Sequence, residues 1–120
     1  MLGYLIAMQL AALTPLPSTP LPSEMESSIN TYVACVSDGF MTRIEAKGEA
    51  EIDGSEVMMQ AIKGCVEQRG DAIKASEQAL ANNPNFANSS HRARFVEERF
   101  KSLDDMLIWG VSPEGDPDNW

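Results

Sequence analysis

Residues 23–80 decide the fold of this chain: SEMESSINTYVACVSDGFMTRIEAKGEAEIDGSEVMMQAIKGCVEQRGDAIKASEQAL. Apolar side chains recur in this stretch at spacings of three and four residues, which is the period of an amphipathic helix. One apolar stripe runs from Met25 to Ile44 and a second from Met58 to Leu80, with the acidic segment 49–55, EAEIDGS, between them. The pattern predicts two amphipathic helices joined by an acidic turn.

Capping patterns predict where these two helices begin. Ser23 with Glu26, and Asp53 with Glu56, both match the capping box, in which a short polar side chain and an acid three residues later bond the free amide groups at a helix start. We therefore expect the first helix to begin at Ser23. The second helix is predicted to run unbroken over 55–80, although the glycines inside it lower its helix propensity.

Each predicted helix carries one cysteine, Cys35 and Cys65. Cys35 precedes the expected end of the first helix at position 47, and Cys65 follows the expected start of the second at position 55, so both stand roughly 15–18 Å from the turn. An antiparallel hairpin would therefore place the two cysteines at similar height, within reach of a disulfide. Closing this loop should contribute about 3–4 kcal/mol to stability.

Other roles for Cys35 and Cys65 stay open from the residues alone. Redox enzymes favour closely spaced cysteines at a helix start, whereas these two are distant and lie in mid-helix. A metal site would need two further ligands, and His91 is the only histidine in the chain. Unpaired buried thiols are the remaining alternative. Because an even cysteine count in an exported chain indicates a disulfide, we predict a structural bridge.

A third helix is predicted from Ser89 or Ser90 to Trp109. The stretch 111–120 is predicted to be a loose tail. For Trp120 at its end we expect disorder or packing back onto the core, and contact with a partner is the alternative. The apolar stripe of the third helix consists of Val96, Phe100, Leu103 and Leu107. Its charged residues oppose the helix dipole, with basic ones at the start and acidic ones at the end: His91, Arg92, Arg94, Asp104 and Asp105. Tertiary partners must therefore compensate these charges, or the helix is short.

The N-terminal run 2–13, LGYLIAMQLAAL, is apolar and uncharged. It would span roughly 18 Å as a helix, less than the ~30 Å core of a bilayer, and its length matches the apolar region of a secretory signal peptide. We predict a signal peptide over 1–13, with its end between 13 and 22, a Pro-rich spacer over 14–22 and a helical domain over 23–110. An uncleaved anchor and a buried N-terminal helix are the alternatives. Export would place the protein in the periplasm or outside the cell, without stable membrane insertion after the leader is removed.

The net charge of −9 bears on possible partners. No charged side chain precedes Glu24, so all of this charge belongs to the part after the leader. An acidic surface is repelled by phosphate groups, and Arg92 and Arg94 are too few to make a basic patch. We therefore expect no nucleic-acid partner. A protein partner is possible, and the negative charge of the chain favours one that is cationic.

Candidate site residues are few. Arg69 lies on the apolar stripe of the second helix, where we expect it either to cover an aromatic ring or to pair with a carboxylate. Glu49, Glu51 and Asp53 imitate the spacing of a calcium loop, but Gln60 stands where a bidentate carboxylate is required, so no calcium site is predicted. No metalloprotease, nucleophile-elbow or phosphate-loop motif occurs, and we predict no enzyme, no cofactor and no metal.

The segments YVAC (32–35) and CVEQR (65–69), together with the apolar leader and the Pro-rich spacer, resemble small exported bacterial proteins built on a two-cysteine helical hairpin. The resemblance covers residues 1–80 and implies a periplasmic or secreted location, with no assigned activity and no catalytic residues. We predict an all-α fold, an antiparallel helical hairpin stapled by one disulfide plus a third packed helix. The expected function is that of an exported small helical protein acting through binding or structure rather than catalysis. The alternative is an acidic inhibitor or regulator of a cationic secreted enzyme.

Overall fold

The computed structural model describes residues 21–48 and 52–112, and within these two ranges the chain forms four α-helices and no strand. The helices are α1 (Glu26–Lys47), α2 (Gly54–Gly64), α3 (Val66–Leu80) and α4 (Ser89–Gly110), and single 3₁₀ turns at Ser23–Met25 and Pro84–Phe86 precede α1 and α4. The predicted all-α fold is therefore confirmed. The predicted leader over 1–13, most of the spacer and most of the tail lie outside the described residues.

The antiparallel hairpin and its disulfide are also confirmed. Cys35 of α1 is bonded to Cys65, with a Cα–Cα distance of 6.2 Å. One turn further on, Gly39 of α1 lies against Ala61 of α2, so the residue numbers rise on one helix as they fall on the other. The number of residues between the turn and each cysteine therefore correctly predicted that Cys35 and Cys65 lie at the same height along the hairpin.

The second arm of the hairpin is not the unbroken helix that was predicted. At Cys65 the backbone leaves the helical region, with φ −109° and ψ 24°, so that α2 ends at Gly64 and α3 starts at Val66. Val66, an apolar residue within the predicted stripe from Met58 to Leu80, is 67% exposed. The buried positions of α3 are Ala72, Ser76 and Leu80, and they continue the spacing of the buried Met58, Ala61 and Cys65 across the break.

Two of the predicted helix starts need correction. Ser23 does not cap α1: residues Ser23–Met25 form a 3₁₀ turn without a side-chain cap, because Met25 is buried in the core and Glu24 accepts a bond from Asn83 Nδ2 at 3.0 Å. Asn88, not a serine, caps α4, its Oδ1 accepting from the backbone amide of His91 at 2.9 Å. Asparagine caps at least as well as serine, and it stands one position earlier.

The cap at Asp53 was predicted correctly. Its Oδ1 accepts from the backbone amides of Ser55 and Glu56 at 3.1 and 3.4 Å, and α2 begins directly after it. A hydrogen bond from the Ser55 hydroxyl, together with the bonds from these two amides, lowers the pKa of the Asp53 carboxyl. The acidic turn therefore contains a well-formed helix start.

The core lies where α4 packs across the hairpin. Val96 and Phe100 of α4 are fully buried, and Leu103 and Leu107 pack against the same cluster, as the predicted stripe requires. The buried apolar residues are Met25, Tyr32, Val36, Val57, Met58, Ala61, Cys65, Ala72, Leu80, Val96 and Phe100. In 21–48 and 52–112, none of the helices is both long and apolar enough to cross a membrane.

Candidate functional site

Three polar side chains from three helices meet inside the fold, and together they are termed the Asp104 cluster. Tyr32 of α1 donates its hydroxyl to Asp104 Oδ1 at 2.5 Å, and Nε of Arg69 on α3 donates to Asp104 Oδ2 at 2.8 Å. Tyr32 is fully buried, whereas the Arg69 and Asp104 side chains keep 25% and 16% of their surface exposed. Each carboxylate oxygen of Asp104 therefore accepts a bond from a different helix.

Phe100 forms the apolar wall of the cluster. Its ring centroid lies 5.7 Å from that of Tyr32 and 5.8 Å from the guanidinium carbon of Arg69. Phe100 precedes Asp104 by one turn on α4, so one face of that helix supplies both the ring and the carboxylate. The guanidinium is thus held from two directions, by a charge-assisted hydrogen bond and by the face of a ring.

The environment of Tyr32 decides its protonation state. Burial raises the pKa of Tyr32 well above its ordinary value, and the hydrogen bond to Asp104 and the negative charge of that carboxylate raise it further. The smaller, opposing influence of Arg69 does not cancel these effects. The phenol therefore stays protonated at neutral pH and acts as a donor to Asp104, a role that holds helices together rather than one that activates a nucleophile.

The disulfide lies one helical turn from the Asp104 cluster. Tyr32 precedes Cys35 by three residues, and Arg69 follows Cys65 by four, so each cysteine shares a helix face with one member of the cluster. The backbone amide of Arg69 also donates to the carbonyl of Cys65 at 2.8 Å. The covalent bond and the polar cluster therefore hold adjacent turns of the same helices.

Arg43 covers the other side of the junction between α2 and α3. Its Nη1 donates to the carbonyl of Gly39 at 3.0 Å. A Cβ atom at Gly39 would stand 3.0 Å from Nη1, and one at Gly64 would stand 3.1 Å from Nη2. The guanidinium thus lies over Gly39 of α1 and over Gly64 at the C-terminal end of α2, where a cation also suits the helix dipole.

The predicted site residues are all found near this junction. Cys35 and Cys65 are bridged, and Arg69 does both things that were expected as alternatives, since it pairs with Asp104 and covers the ring of Phe100. The partnership of Tyr32 with Asp104 was not predicted. The available signal was the unfavourable place of Asp104 near a helix C-terminus, which indicated a tertiary partner without identifying it.

A separate open groove of about 490 Å³ runs along the outer face of α3 to the start of α4. Five of its lining residues lie on α3, among them Ile73, Lys74 and Glu77, while Ala81 lines it just after α3 and Arg92 lines it from α4. Nη1 of Arg92 donates to the backbone carbonyl of Phe86 at 2.8 Å, which holds the guanidinium in place. The groove therefore combines an apolar side chain with two cations and one acid.

No group of three or more His, Cys, Asp or Glu side chains in the described ranges is arranged to hold a metal ion. His91 is exposed and stacks on Phe86, with ring centroids 5.8 Å apart. Glu49 and Glu51 of the acidic turn lie outside the described residues.

Ser76 is a buried polar residue whose side chain lacks a hydrogen bond in the described part of the chain. It is fully buried on α3, and its hydroxyl has no hydrogen-bond partner in the described part of the chain. An unpaired buried hydroxyl costs stability, because it gives up bonds to water without replacing them.

No protein-family model, no curated protein and no solved structure matches the chain.

Proposed function

We propose that this protein is an exported small helical protein of an oxidising compartment, which acts through binding or structure rather than catalysis. The observation that carries the proposal is the Cys35–Cys65 disulfide at the centre of the helix packing. Disulfides persist in secreted and periplasmic proteins and are rare where glutathione and thioredoxin keep thiols reduced. The apolar run over 2–13, too short to span a bilayer, supplies the matching export signal.

The hydrogen bonds of Asp104 and Tyr32 support a role in binding or structure over one in catalysis. Both oxygens of Asp104 are engaged, and Tyr32 keeps its proton. The exposed features are instead a groove along α3 and separate apolar side chains such as Met41, at 52%, and Val66, at 67%. Surfaces of this kind suit contact with another molecule.

Intact mass of the protein expressed from its own N-terminus tests the export proposal and the bridge together. We expect the protein to be recovered from the periplasm or the medium, to have lost residues up to a cut between 13 and 22, and to gain the mass of two hydrogen atoms on reduction. A matched chain with Cys35→Ala and Cys65→Ala should be processed equally but show no change on reduction. Recovery in the cytosol with a mass that starts at Met1 would contradict export.

The charge of −9 favours a second candidate, an acidic inhibitor or regulator of a cationic secreted enzyme. The test is to titrate the oxidised protein against a set of basic secreted hydrolases and to measure their activity at low and high ionic strength. Inhibition by charge complementarity should weaken steeply as salt is added, because screening shortens the range of the attraction. Hydrolase activity that stays unchanged at low salt would remove this candidate without affecting the export proposal.

A further inference from the structure

A second face of partly apolar character runs along α2 and α3. Both helices run antiparallel to α1, because Cys65 at their junction is bonded to α1 and Asn83, just after α3, donates to Glu24, just before α1. The buried positions keep their spacing across the junction, so the more exposed side also continues from one helix to the next. This side carries exposed or half-buried residues at spacings of three and four, which are termed the α2–α3 face: Met59, Ile62, Val66, Gly70, Ile73, Glu77 and Ala81.

The two halves of the α2–α3 face differ in shape. In the first half, large apolar side chains are exposed, Met59 at 43% and Val66 at 67%. In the second half lies the open groove, which Gly70, Ile73 and Ala81 help to line. Nothing lies within 4 Å of the Cβ position at Gly70, so no neighbour in the described part of the chain fills this space. One half of the face therefore offers apolar side chains, and the other offers room for them.

A second copy of the chain can bring the unlike halves together. If it lies antiparallel with the two Gly70 residues opposite one another, a residue before Gly70 faces the residue equally far after it. Met59 then lies opposite Ala81, and Val66 lies level with Ile73 to within about 1.5 Å. Because the arrangement has two-fold symmetry, each copy places its apolar side chains in the groove of the other. Glycine at the crossing point allows the two helices to approach closely.

The same register also brings opposite charges together. Lys63 stands seven positions before Gly70, and Glu77 stands seven positions after it. Glu67 and Lys74 stand three before and four after, so they face one another as well. None of these four side chains forms an ion pair within the ranges 21–48 and 52–112. Because each pair occurs twice in a symmetric dimer, local attraction offsets the repulsion between two chains of net charge −9.

We propose that the α2–α3 face is the interface of a symmetric dimer of this chain, in which the two copies cross at Gly70. A surface that is self-complementary in both shape and charge fits a second copy better than an unrelated partner. Asp71 lies about 100° around α3 from Gly70 and is therefore at the edge of the interface. Dimerisation does not depend on where the protein is located, so its failure would leave the export proposal unaffected.

Sedimentation velocity of the purified, oxidised protein tests the proposal. Between micromolar and millimolar concentration, we expect the average mass to rise from that of one chain towards that of two. Val66→Asp should raise the Kd of the dimer by at least about tenfold, because each dimer buries two copies of Val66. Met41→Asp is the matched control, since Met41 is 52% exposed on α1 and lies outside the α2–α3 face, and it should leave the Kd unchanged.

Charge reversal tests the register. Lys63→Glu should raise the Kd by about three- to tenfold, because it places like charges opposite one another twice. Adding Glu77→Lys should restore the Kd to within about twofold of the native value. Lys101→Glu changes an exposed lysine of α4 and should have no effect, and circular dichroism verifies that every variant is folded. The proposal is overturned if the protein stays monomeric over the whole range, or if its dimer is weakened by neither Val66→Asp nor Lys63→Glu.

Discussion

Helix α1 holds its neighbours in two opposite ways. Against α2 it presents small residues and a covalent bond: Gly39 lies against Ala61, with 3.6 Å between a Cβ added at Gly39 and that of Ala61, and Cys35 is bridged to Cys65. Against α3 and α4 it presents a large buried ring, Tyr32, whose hydroxyl reaches Asp104. These two regions are termed the stapled contact and, as above, the Asp104 cluster.

The comparison separates two sources of stability. The stapled contact brings backbones close and restricts the unfolded chain, so much of its effect does not depend on how well the native groups are paired. The Asp104 cluster acts in the native state, where a partly buried carboxylate is favourable only while its partners are in place. Substitutions in the two regions should therefore change the free energy of unfolding by different amounts and with a different dependence on pH.

The largest effect is expected from breaking the stapled contact. Cys35→Ala with Cys65→Ala should lower the free energy of unfolding by about 3–4 kcal/mol, because the loop of thirty residues is no longer closed in the unfolded state. Urea denaturation of the oxidised protein and the variant measures the difference. A loss well below about 1 kcal/mol would show that the chain-entropy account does not hold for this bridge.

Removing the centre of the Asp104 cluster should cost nearly as much. Asp104→Ala leaves Arg69 and the buried hydroxyl of Tyr32 without their acceptor, and we expect a loss of about 3 kcal/mol by urea denaturation. The exposed neighbour provides the control, since Asp105→Ala should stay within about 0.5 kcal/mol of the native protein. Equal effects of the two substitutions would mean that the cluster adds nothing beyond surface charge.

A larger side chain at Gly39, where α1 contacts α2, tests whether this contact requires small residues. At Gly39 an added Cβ would already stand 3.0 Å from Nη1 of Arg43 and 3.6 Å from Cβ of Ala61, so the larger Gly39→Leu side chain should displace these neighbours and destabilise by about 2 kcal/mol in thermal or urea unfolding. Gly70→Leu is the matched control, because no atom lies within 4 Å of its Cβ position and helix propensity improves. If both variants unfolded alike, close approach would not be what selects glycine at position 39.

Tyr32→Phe tests the cluster through pH. At neutral pH it should cost about 1–2 kcal/mol, because one hydrogen bond to a charged acceptor is lost. The folded pKa of Tyr32 is raised above that of the unfolded chain, so its contribution is complete below pH ~10 and decreases above it, by at most about 1.4 kcal/mol per pH unit.

The stability difference between the native protein and Tyr32→Phe should therefore shrink as the pH rises above that point. Urea denaturation of both proteins at neutral and alkaline pH measures it, and other alkaline effects cancel in the comparison. A constant difference across the alkaline range would mean that Tyr32 titrates in the same way folded and unfolded.

The smallest expected effect is a gain. Ser76→Ala removes a buried hydroxyl that has no partner in the described residues and raises helix propensity, so stability should increase by about 1 kcal/mol. Thermal unfolding of the variant, beside Ala75→Ser as a surface control, is sufficient to detect it. A loss of stability would indicate that the Ser76 hydroxyl does have a partner, such as a buried water.

Much of the stapled contact could be predicted, because it depends on local rules. Helical periodicity and the distance of Cys35 and Cys65 from the turn placed the two sulfurs at the same height before any packing was known. The cap at Asp53 followed in the same way. The break at Cys65 was only hinted at by Gly64, since a helix can tolerate a glycine and nothing local requires the chain to leave the helix there.

The Asp104 cluster could be predicted only in outline. The position of Arg69 on an apolar stripe, and of Asp104 against the helix dipole, each indicated a missing partner. That they are partners of one another, and that Tyr32 completes the cluster, depends on contacts across 35 and 72 residues of sequence. No local pattern encodes such a pairing.

By itself, the sequence determined the all-α class, the two arms of the hairpin and the pairing of Cys35 with Cys65, because periodicity and helix rise act over neighbouring residues. Only the tertiary structure decided that α2 and α3 separate at Cys65, that Val66 is exposed and that Asp104 joins three helices. The last of these features follows from how α4 packs across the hairpin, because it pairs side chains that are 35 and 72 residues apart in the sequence.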